Sequence, residues 1–206
     1  MPLPISVIIP HQKHRAEWFK KYCLPAVVAN DPAEILIESG EGNACEKRNA
    51  GAGRAKNPYV VFVDDDSIIY ADALPSMLAA LERDRGASFA YSDVKTVHYP
   101  GIPSPVPQGT RSSGPWNLER LKRWNYVDTM SLMRREVFPG FDVKLRRFQD
   151  WDLWLRMGAN GRRGVYIPKV LFELHYFDLG ISAVVPVHEA LQAISEKHGI
   201  ILEAIL

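Results

Sequence analysis

The segment that most constrains the fold is an apolar run, residues 60–63, that leads directly into Asp64, Asp65 and Asp66. Three of its four apolar residues are valine, which indicates a strand buried on both faces of a sheet. Such a strand cannot also bury three charges, so the carboxylates must lie where it leaves the sheet. In an open α/β sheet this is the carboxyl edge, where ligands bind.

These three carboxylates are candidate metal ligands. Adjacent acidic side chains raise one another's pKa unless a cation neutralises them. Oxygen ligands suit Mg²⁺ or Mn²⁺, held partly by carboxylate and partly by substrate phosphates. The alternative is a solvated acidic turn in which Asp or Ser caps a following helix.

Composition narrows the class of protein. The chain has 206 residues, 47% of them hydrophobic, and a net charge of +1, which argues against a general polyanion binder. Residues 111–163 nevertheless hold twelve Lys and Arg against six Asp and Glu. This stretch would suit an anionic substrate, or it is a set of scattered salt bridges.

The cysteine count and the hydropathy give an expected location. Cys23 and Cys45 form no disulfide framework or zinc pattern, which favours a reducing, cytoplasmic setting. We recognise no signal peptide at the start, and no apolar stretch approaches the length of a membrane span.

The first half of the chain alternates strands and helices. We predict buried strands at residues 5–10 and 34–38, and helices at 16–29, with Pro25 as a kink or break, and at 44–55, interrupted by glycines. Together with the strand at 60–63 this order predicts an α/β protein with a mainly parallel sheet. No glycine-rich phosphate loop follows the first strand, so a bound nucleotide would depend on a metal and side chains.

The second half reads less regularly. A helix is predicted at 71–83, a strand at 88–97, a proline-rich loop or mobile flap at 99–107, a short helix at 116–124 and a strand at 127–133. Apolar residues at helical spacing predict a helix around residues 147–157, with Trp151 in its core stripe and Asp150 and Asp152 in its first turn. Strands at 165–167 and 171–175 and an amphipathic helix at 186–206 follow.

Four ordered blocks resemble family 2 glycosyltransferases of the GT-A fold. They are residues 6–10 (SVIIP), 46–51 (EKRNAG, resembling ARNxG), 59–66 (YVVFVDDD, carrying a DXD motif) and 133–156 (MRREVF through GFD to QDWDLWLR). The resemblance covers roughly residues 3–180. It implies a single GT-A domain, with a mixed, mostly parallel central sheet flanked by helices.

The resemblance also implies an activity and a set of site residues. The activity is inverting transfer of a sugar from a nucleoside-diphosphate donor, most often a UDP-sugar, to an acceptor hydroxyl, assisted by Mn²⁺ or Mg²⁺. Asp150 is then the general base and Asp66 the metal ligand. The donor-binding residues would be Pro10, His11, Glu38, Arg48, Asp64 and Asp65.

Departures from the family pattern mark the less certain positions. Gln149 stands where the family usually has glutamate, and Glu38 where it usually has aspartate. His175 ends a late strand near the family's Arg-x-His, and is either a metal or phosphate ligand or a structural hydrogen-bonding residue. Acceptor contacts are expected from residues 99–124 and from the neighbourhood of Asp150, with Trp116, Trp124 and Trp151 as the aromatic candidates.

Several alternatives stay open at this point. A nucleotidyltransferase, a phosphatase using Asp64 and Asp66, and a catalytically dead binding module are the competing functions. The acceptor is a glycan, a lipid-linked glycan, a protein or a modified nucleic acid. We expect a donor half at 1–97, an acceptor half at 98–180 and a helical tail at 181–206. The tail packs against its own domain or forms a homodimer.

Overall fold

The computed structural model describes residues 1–101, 107–177 and 185–200, and one mixed sheet forms the centre of this part of the chain. Its strands in chain order are β1 Leu3–Pro10, β2 Pro32–Glu38, β3 Tyr59–Phe62, β4 Ser67–Ile69, β5 Phe89–His98, β6 Gly109–Arg111, β7 Leu132–Arg134 and β8 Gly164–Tyr176. Their order across the sheet is β2-β1-β3-β7-β5-β8-β4, and β6 pairs with β5.

The longer strands share one direction. β1 is parallel to β2 and β3, and β5 is parallel to β8. β7 lies antiparallel between β3 and β5, so β3 and β5 point the same way. The carboxyl ends of β1, β2, β3, β5 and β8 therefore meet at one edge, and the residues just before β7 reach the same edge.

Helices cover both faces of the sheet. They are α1 over residues 13–28, α2 Ala44–Arg54, α3 Ala73–Arg83, α4 Leu118–Arg123, α5 Gln149–Ala159 and α6 Val187–His198, with a 3-10 turn at Arg135–Val137. The helix α2 starts with a capping box, in which the Asn43 side chain accepts from two backbone N–H groups and Glu46 bonds back to Asn43. This fixes where the ARNxG-like block begins.

The sheet separates two hydrophobic cores, and side chains of β3 and of Val63, which follows it, alternate between them, as the sequence predicted. Val61 and Val63 join the core under α1 and α3, whereas Val60 and Phe62 join the core under α2 and α5. The second core is rich in aromatic rings, and Phe89 stacks on Trp154 at 4.4 Å between ring centroids. The strand that leads into the acidic run is thus buried on both faces.

The predicted elements differ from the structure in a few places. The helix α1 does not break at Pro25 but widens into a π turn at Phe19–Cys23, because proline cannot donate to the preceding turn. The helix α2 runs uninterrupted through its glycines. Glycine is needed at position 51 because the helix packs so closely on Ile8 that a side chain would have no room. β2 was expected to be buried but is half-exposed, because it is an edge strand.

The late strands and the tail also need correction. The two expected strands at 165–167 and 171–175 are one continuous β8, whereas the expected strand at 127–133 is reduced to β7. The interior of the proline-rich segment, residues 102–106, and the chain end from 201 lie outside the described residues, so the flap is not tested. The helix α6 buries Ala190 and Ile194 against its own domain, which favours the intramolecular alternative for the tail.

Candidate active site

The acidic run lies at the carboxyl edge of the sheet, immediately after β3. Side chains of Asp64 and Asp66 are 29% and 25% exposed, whereas Asp65 is 2% exposed. The run forms a turn in which the backbone N–H of Ser67 donates to the Asp64 carbonyl at 3.0 Å. The outer two carboxylates are partly exposed at this edge of the sheet, and the middle one is buried.

Asp65 was expected to bind the donor, and the structure shows it engaged within the protein. Its carboxylate accepts from His11 Nδ1 at 2.9 Å, from the backbone N–H of Gln12 at 2.7 Å and from Arg15 Nη1 at 3.0 Å. With a side chain only 2% exposed, these contacts favour a structural role. Asp65 instead anchors the loop between β1 and α1, and it holds His11 at the edge of the cleft.

Arg48 links the two halves of the site. Its Nη2 pairs with Asp64 at 2.5 Å, and its Nη1 donates to Gln149 Oε1 at 3.0 Å. Burial opposes the charge of the guanidinium, but the adjacent Asp64 carboxylate keeps the pKa of Arg48 above its ordinary value. Arg48 Nε is buried and has no hydrogen-bond partner among the described residues. One buried cation thus joins the acidic run to the start of α5.

Gln149 has a structural reason for replacing the glutamate of the family pattern. While its Oε1 accepts from Arg48, its Nε2 donates to the carbonyl oxygens of Leu145 and Arg146 at 3.0 and 3.3 Å. A carboxylate has no hydrogen to donate to these carbonyls. The amide therefore closes the turn before α5 and contacts Arg48 at the same time.

Asp150 lies beside this link, in the first turn of α5, and is held by neutral donors. Asn125 Nδ2 donates to Oδ2 at 2.9 Å, and the backbone N–H of Trp151 donates to Oδ1 at 2.9 Å. Burial raises the pKa of Asp150 above its ordinary value, although the two N–H donors, Arg111 and Arg48 act in the opposite direction. A carboxylate in this state is a better proton acceptor than an ordinary aspartate.

A second carboxylate near Asp150 was missed by the sequence reasoning. Asp128 lies just before β7, pairs loosely with Arg111 at 3.5 Å and accepts from the backbone N–H of Met130. Burial raises the pKa of Asp128 to about 6, with Arg111 lowering it and the charge of Asp150 raising it further. No motif marks this residue, and it reaches the site because β7 runs antiparallel to its neighbours.

The chemistry of Asp66 fits one carboxylate ligand of a hard divalent ion. Its side chain is partly exposed at the cleft, and Arg15 pairs with its Oδ2 at 2.6 Å. Within the described residues no three side chains of His, Cys, Asp or Glu converge on a metal position. A metal held here would take most of its ligands from substrate phosphates and water.

The contacts of His175 favour the structural alternative over the metal or phosphate ligand. Both imidazole nitrogens are engaged, Nε2 with Glu173 at 3.0 Å and Nδ1 with the Tyr99 hydroxyl at 3.3 Å. Burial lowers the pKa of His175, although Glu173 acts in the opposite direction. The ring also packs on Trp18. His175 therefore fastens β8 to α1 beside the acidic run, since its backbone N–H donates to the Asp66 carbonyl.

The remaining donor candidates lie where β1 and β2 end. Pro10 pairs with Glu38 across the two strands, and the backbone N–H of His11 donates to the Glu38 carbonyl at 2.9 Å. The Glu38 carboxylate is ion-paired with Arg54. These three residues are neighbours at the carboxyl edge, and their contact with a donor base stays a prediction.

The comparisons with known proteins agree with this architecture. A model of glycosyl transferase family 2 matches residues 17–140, which is more than half of the chain. The chain belongs to glycosyl transferase family 2. The match includes Arg48 and the acidic run and ends before Asp150.

Two curated relatives share part of their length with this family 2 chain. It is 24% identical over 162 residues to an uncharacterised glycosyltransferase of Haemophilus influenzae. The matched region covers 74% of this chain and 51% of the relative. It is also 24% identical over 155 residues to the uncharacterised protein y4gI of Sinorhizobium fredii, covering 70% of this chain and 16% of that protein. The chain spans about half the length of the first relative, and less of the second.

Solved structures share the fold. Residues 1–349 of S. aureus TarS, crystallised in complex with UDP-GlcNAc, match with a TM-score of 0.66 at 16% identity, over 98% of this chain and 68% of that one. The full TarS structure matches with a TM-score of 0.62, over 41% of its length. The predicted GT-A fold, with one mixed sheet between helices, is confirmed.

Family membership bears on the alternatives left open by the sequence. It classes the chain with glycosyltransferases, and not with nucleotidyltransferases or phosphatases. Among the described residues, no helix is long and apolar enough to cross a membrane. Cys23 and Cys45 are both buried free thiols.

The aromatic candidates for acceptor binding divide into buried and exposed rings. Trp151 is buried in the core and its indole N–H donates to the Leu121 carbonyl at 2.6 Å, so its proposed acceptor contact is wrong. Trp116 packs edge-on against Phe89, at the amino end of β5 and away from Asp150. Trp124 is 50% exposed and adjoins Asn125, the residue that holds Asp150.

Most of the basic residues in 111–163 serve the fold. Arg134 donates to the carbonyls of Ala87 and Leu81, and Arg163 pairs with Asp84 on the surface. Arg111, by contrast, lies beside Asp128 and Asp150. The stretch is thus mainly a set of scattered structural contacts, with one arginine at the site.

Proposed function

We propose that this chain is an inverting glycosyltransferase that moves a sugar from a nucleoside-diphosphate donor, a UDP-sugar, to an acceptor hydroxyl. Asp150 acts as the general base. The observation that carries the proposal is the environment of Asp150, a half-buried carboxylate with a raised pKa that two neutral N–H groups orient. Arg48 places it next to the acidic run of a family 2 domain.

The reaction needs one base and one stabilised leaving group. Asp150 accepts the proton of the acceptor hydroxyl while the hydroxyl oxygen attacks the anomeric carbon from the face opposite the diphosphate. The new carbon–oxygen bond forms as the bond between the anomeric carbon and the phosphate oxygen breaks. The nucleoside diphosphate leaves with that electron pair, and the configuration at the anomeric carbon inverts.

Donor binding is assigned to the carboxyl ends of β1, β2 and β3. We place the nucleoside near Pro10, His11 and Glu38 and the ribose near Asp64, which Arg48 orients. Asp66 would hold Mn²⁺ or Mg²⁺, which when bound neutralises charge on the leaving diphosphate. Arg15, already paired with Asp66, adds positive charge to the same place.

Support for a UDP-sugar comes from the fold alone. TarS, which shares this fold, was crystallised with UDP-GlcNAc and also with UDP. The acceptor is defined here only by its hydroxyl group. A glycan, a lipid-linked glycan, a protein and a modified nucleic acid are all compatible with an exposed Trp124 next to the base.

A nucleotide panel tests the donor assignment. UDP, GDP, dTDP, CMP and ADP are each added with Mn²⁺, Mg²⁺ or EDTA, and thermal unfolding is followed. A ligand at about 100 times its Kd should stabilise the folded protein by roughly 2.7 kcal/mol. We expect metal-dependent stabilisation by UDP, and by the UDP-sugar that is the donor.

The Asp66→Ala variant is the matched control for the panel, and Asp84→Asn, at an exposed ion pair remote from the site, is the neutral one. Stabilisation by UDP that is equal in wild type and Asp66→Ala would contradict the metal assignment. If none of the nucleotides stabilises the wild type, the donor site itself is wrongly assigned.

A further inference from the structure

A fully buried carboxylate lies one residue beyond Trp151 in α5 and receives donors from two helices. Asp152 is 0% exposed and accepts from Arg156 Nε at 2.9 Å within its own helix. Its other oxygen accepts from Lys197 Nζ at 2.7 Å and from His198 Nε2 at 2.9 Å, both at the end of α6. Burial opposes the charge, but His198, Lys197 and Arg156 together hold the pKa of Asp152 at about 2.

Lys197 makes a second contact that widens this tie. Its Nζ also pairs with Asp142 at 2.6 Å, in the turn that carries the GFD block. That turn is held by Asn49 of α2, whose amide exchanges two hydrogen bonds with the backbone of Phe141. The end of α6 therefore bridges the GFD turn and the first turn of α5.

The entry into α5 is strained and needs such support. Phe148, directly before the helix, has a backbone φ of +59°, which residues other than glycine rarely adopt. Its carbonyl accepts from the backbone N–H of Asp152 at 3.0 Å. Conformations of this kind persist only where the surrounding contacts over-determine them. Gln149 and Asp150 follow the strained residue, so their placement depends on how firmly Asp152 is held.

We propose that α6 is a positioning element for the catalytic base: Lys197 and His198 hold Asp152, and thereby fix the turn that presents Asp150. This rests on the proposed function, because it assigns Asp150 as the base. Lys197 and His198 are positioning residues, since neither touches the reacting atoms. The role extends the site to a helix that lies outside the family match at residues 17–140.

Two pairs of variants separate this role from general stability. His198→Ala and Lys197→Ala remove the donors to Asp152, whereas His198→Gln and Lys197→Arg keep an N–H donor at each position. Gln192→Ala is the control on the exposed side of the same helix, where the Gln192 amide donates to Glu196 at 2.7 Å. Initial rates are measured over donor concentration at a temperature where every variant is folded.

We expect the alanine variants to lower kcat about ten- to a hundredfold, the cost of misplacing a catalytic group, with donor KM unchanged. His198→Gln, Lys197→Arg and Gln192→Ala should stay within about threefold of wild type. Hydrogen–deuterium exchange of a peptide spanning residues 149–155 should be faster in the alanine variants and unchanged in the other three.

Wild-type kcat in both alanine variants would overturn the proposal, as would an equal loss in His198→Gln and His198→Ala. Unchanged exchange at residues 149–155 would overturn it independently of any activity. If the wild type transfers no sugar, the proposed function fails. The tie between α6 and α5 is then judged by exchange alone.

Discussion

The two acidic motifs of the molecule, Asp64 to Asp66 after β3 and Asp150 to Asp152 at the start of α5, are built on one plan but hold their cleft-facing carboxylates differently. Each has a fully engaged buried carboxylate, Asp65 or Asp152, that receives three side-chain or backbone donors. Beside Asp65, the exposed carboxylates pair with arginines. Asp150 instead accepts from two neutral donors, the Asn125 amide and the backbone N–H of Trp151.

This difference separates binding from proton transfer. A carboxylate paired with an arginine suits a group that orients a ribose or a metal, as proposed for Asp64 and Asp66. Asp150, held by neutral donors, has a raised pKa and takes a proton more readily. Under the proposed function, the motif after β3 binds the donor and the motif at the start of α5 accepts the proton.

The sharpest way to break the comparison is Asp150→Asn. We expect transfer to fall by about 10²–10⁴-fold, because the amide cannot accept the hydroxyl proton, with donor affinity unchanged. Steady-state rates and nucleotide titrations measure the two effects, and Asp84→Asn is the control. A loss of donor affinity at a constant rate per bound donor would show that Asp150 is not the base.

Asp65→Asn tests the buried half of the donor motif. Removing the charge leaves Arg15 without one of its carboxylate partners and weakens the bonds to His11 and Gln12. We expect a loss of about 3 kcal/mol in the free energy of unfolding, as for a broken buried ion pair. Urea denaturation measures it. Wild-type stability would contradict the anchoring role.

Asp66→Ala addresses the cleft-facing half of the same motif. We expect metal-dependent nucleotide affinity to fall at least about tenfold, since the carboxylate ligand is lost. Calorimetric titration of UDP with and without Mn²⁺ measures the metal-dependent and the metal-independent affinity. Asp64→Ala is the comparison variant. Asp64 is proposed to contact the ribose, with Arg48 orienting its carboxylate, and it is not proposed as a metal ligand.

The dependence on pH should separate Asp150 from Asp152. Since the pKa of Asp150 is raised, kcat should fall with decreasing pH while this carboxyl is protonated, above the ordinary range near 4. Asp152 has a depressed pKa of about 2, so its contribution to stability is present above pH ~4 and is lost as pH falls toward 2. Rate profiles and circular dichroism should show activity lost before the fold.

Asp128→Asn is the control for that profile. The pKa of Asp128 is raised to about 6, so its titration falls within the same range as the expected acid limb. If the limb reports Asp150, it persists in the Asp128→Asn variant and moves to lower pH, because a neighbouring negative charge has been removed. A limb that vanishes with Asp128 would transfer the assignment to that residue.

The smallest expected effect concerns the exposed ring beside the base. Trp124→Ala should raise the acceptor KM by several fold, about 1 kcal/mol of lost stacking, with donor KM unchanged. Trp116→Ala should instead lower the free energy of unfolding, because Trp116 packs on Phe89. Equal effects of the two variants on acceptor KM would show that Trp124 does not line the acceptor site.

Much of the architecture could be predicted from the sequence because it depends on local pattern. Apolar β-branched runs predicted β1 and β3, the spacing of Leu and Trp residues predicted α3 and α5, and four ordered blocks indicated the family. The acidic run could be proposed as a metal site because it follows a strongly patterned strand, whereas the role of Asp150 as the base came from the family resemblance. A residue that adjoins a well-predicted strand or helix can be located in the fold together with that element.

The sequence by itself thus determined the α/β fold, the acidic run at the carboxyl edge of the sheet and the helix α5 that carries Asp150. Only the tertiary structure decided which carboxylates are buried, that Trp151 and His175 serve the fold, and that Asn125 and Asp128 reach Asp150 through the antiparallel β7. It also decided that Lys197 and His198 meet Asp152. Partners of a buried charge lie far away along the chain, and burial and pairing depend on how distant segments pack, which no local pattern encodes.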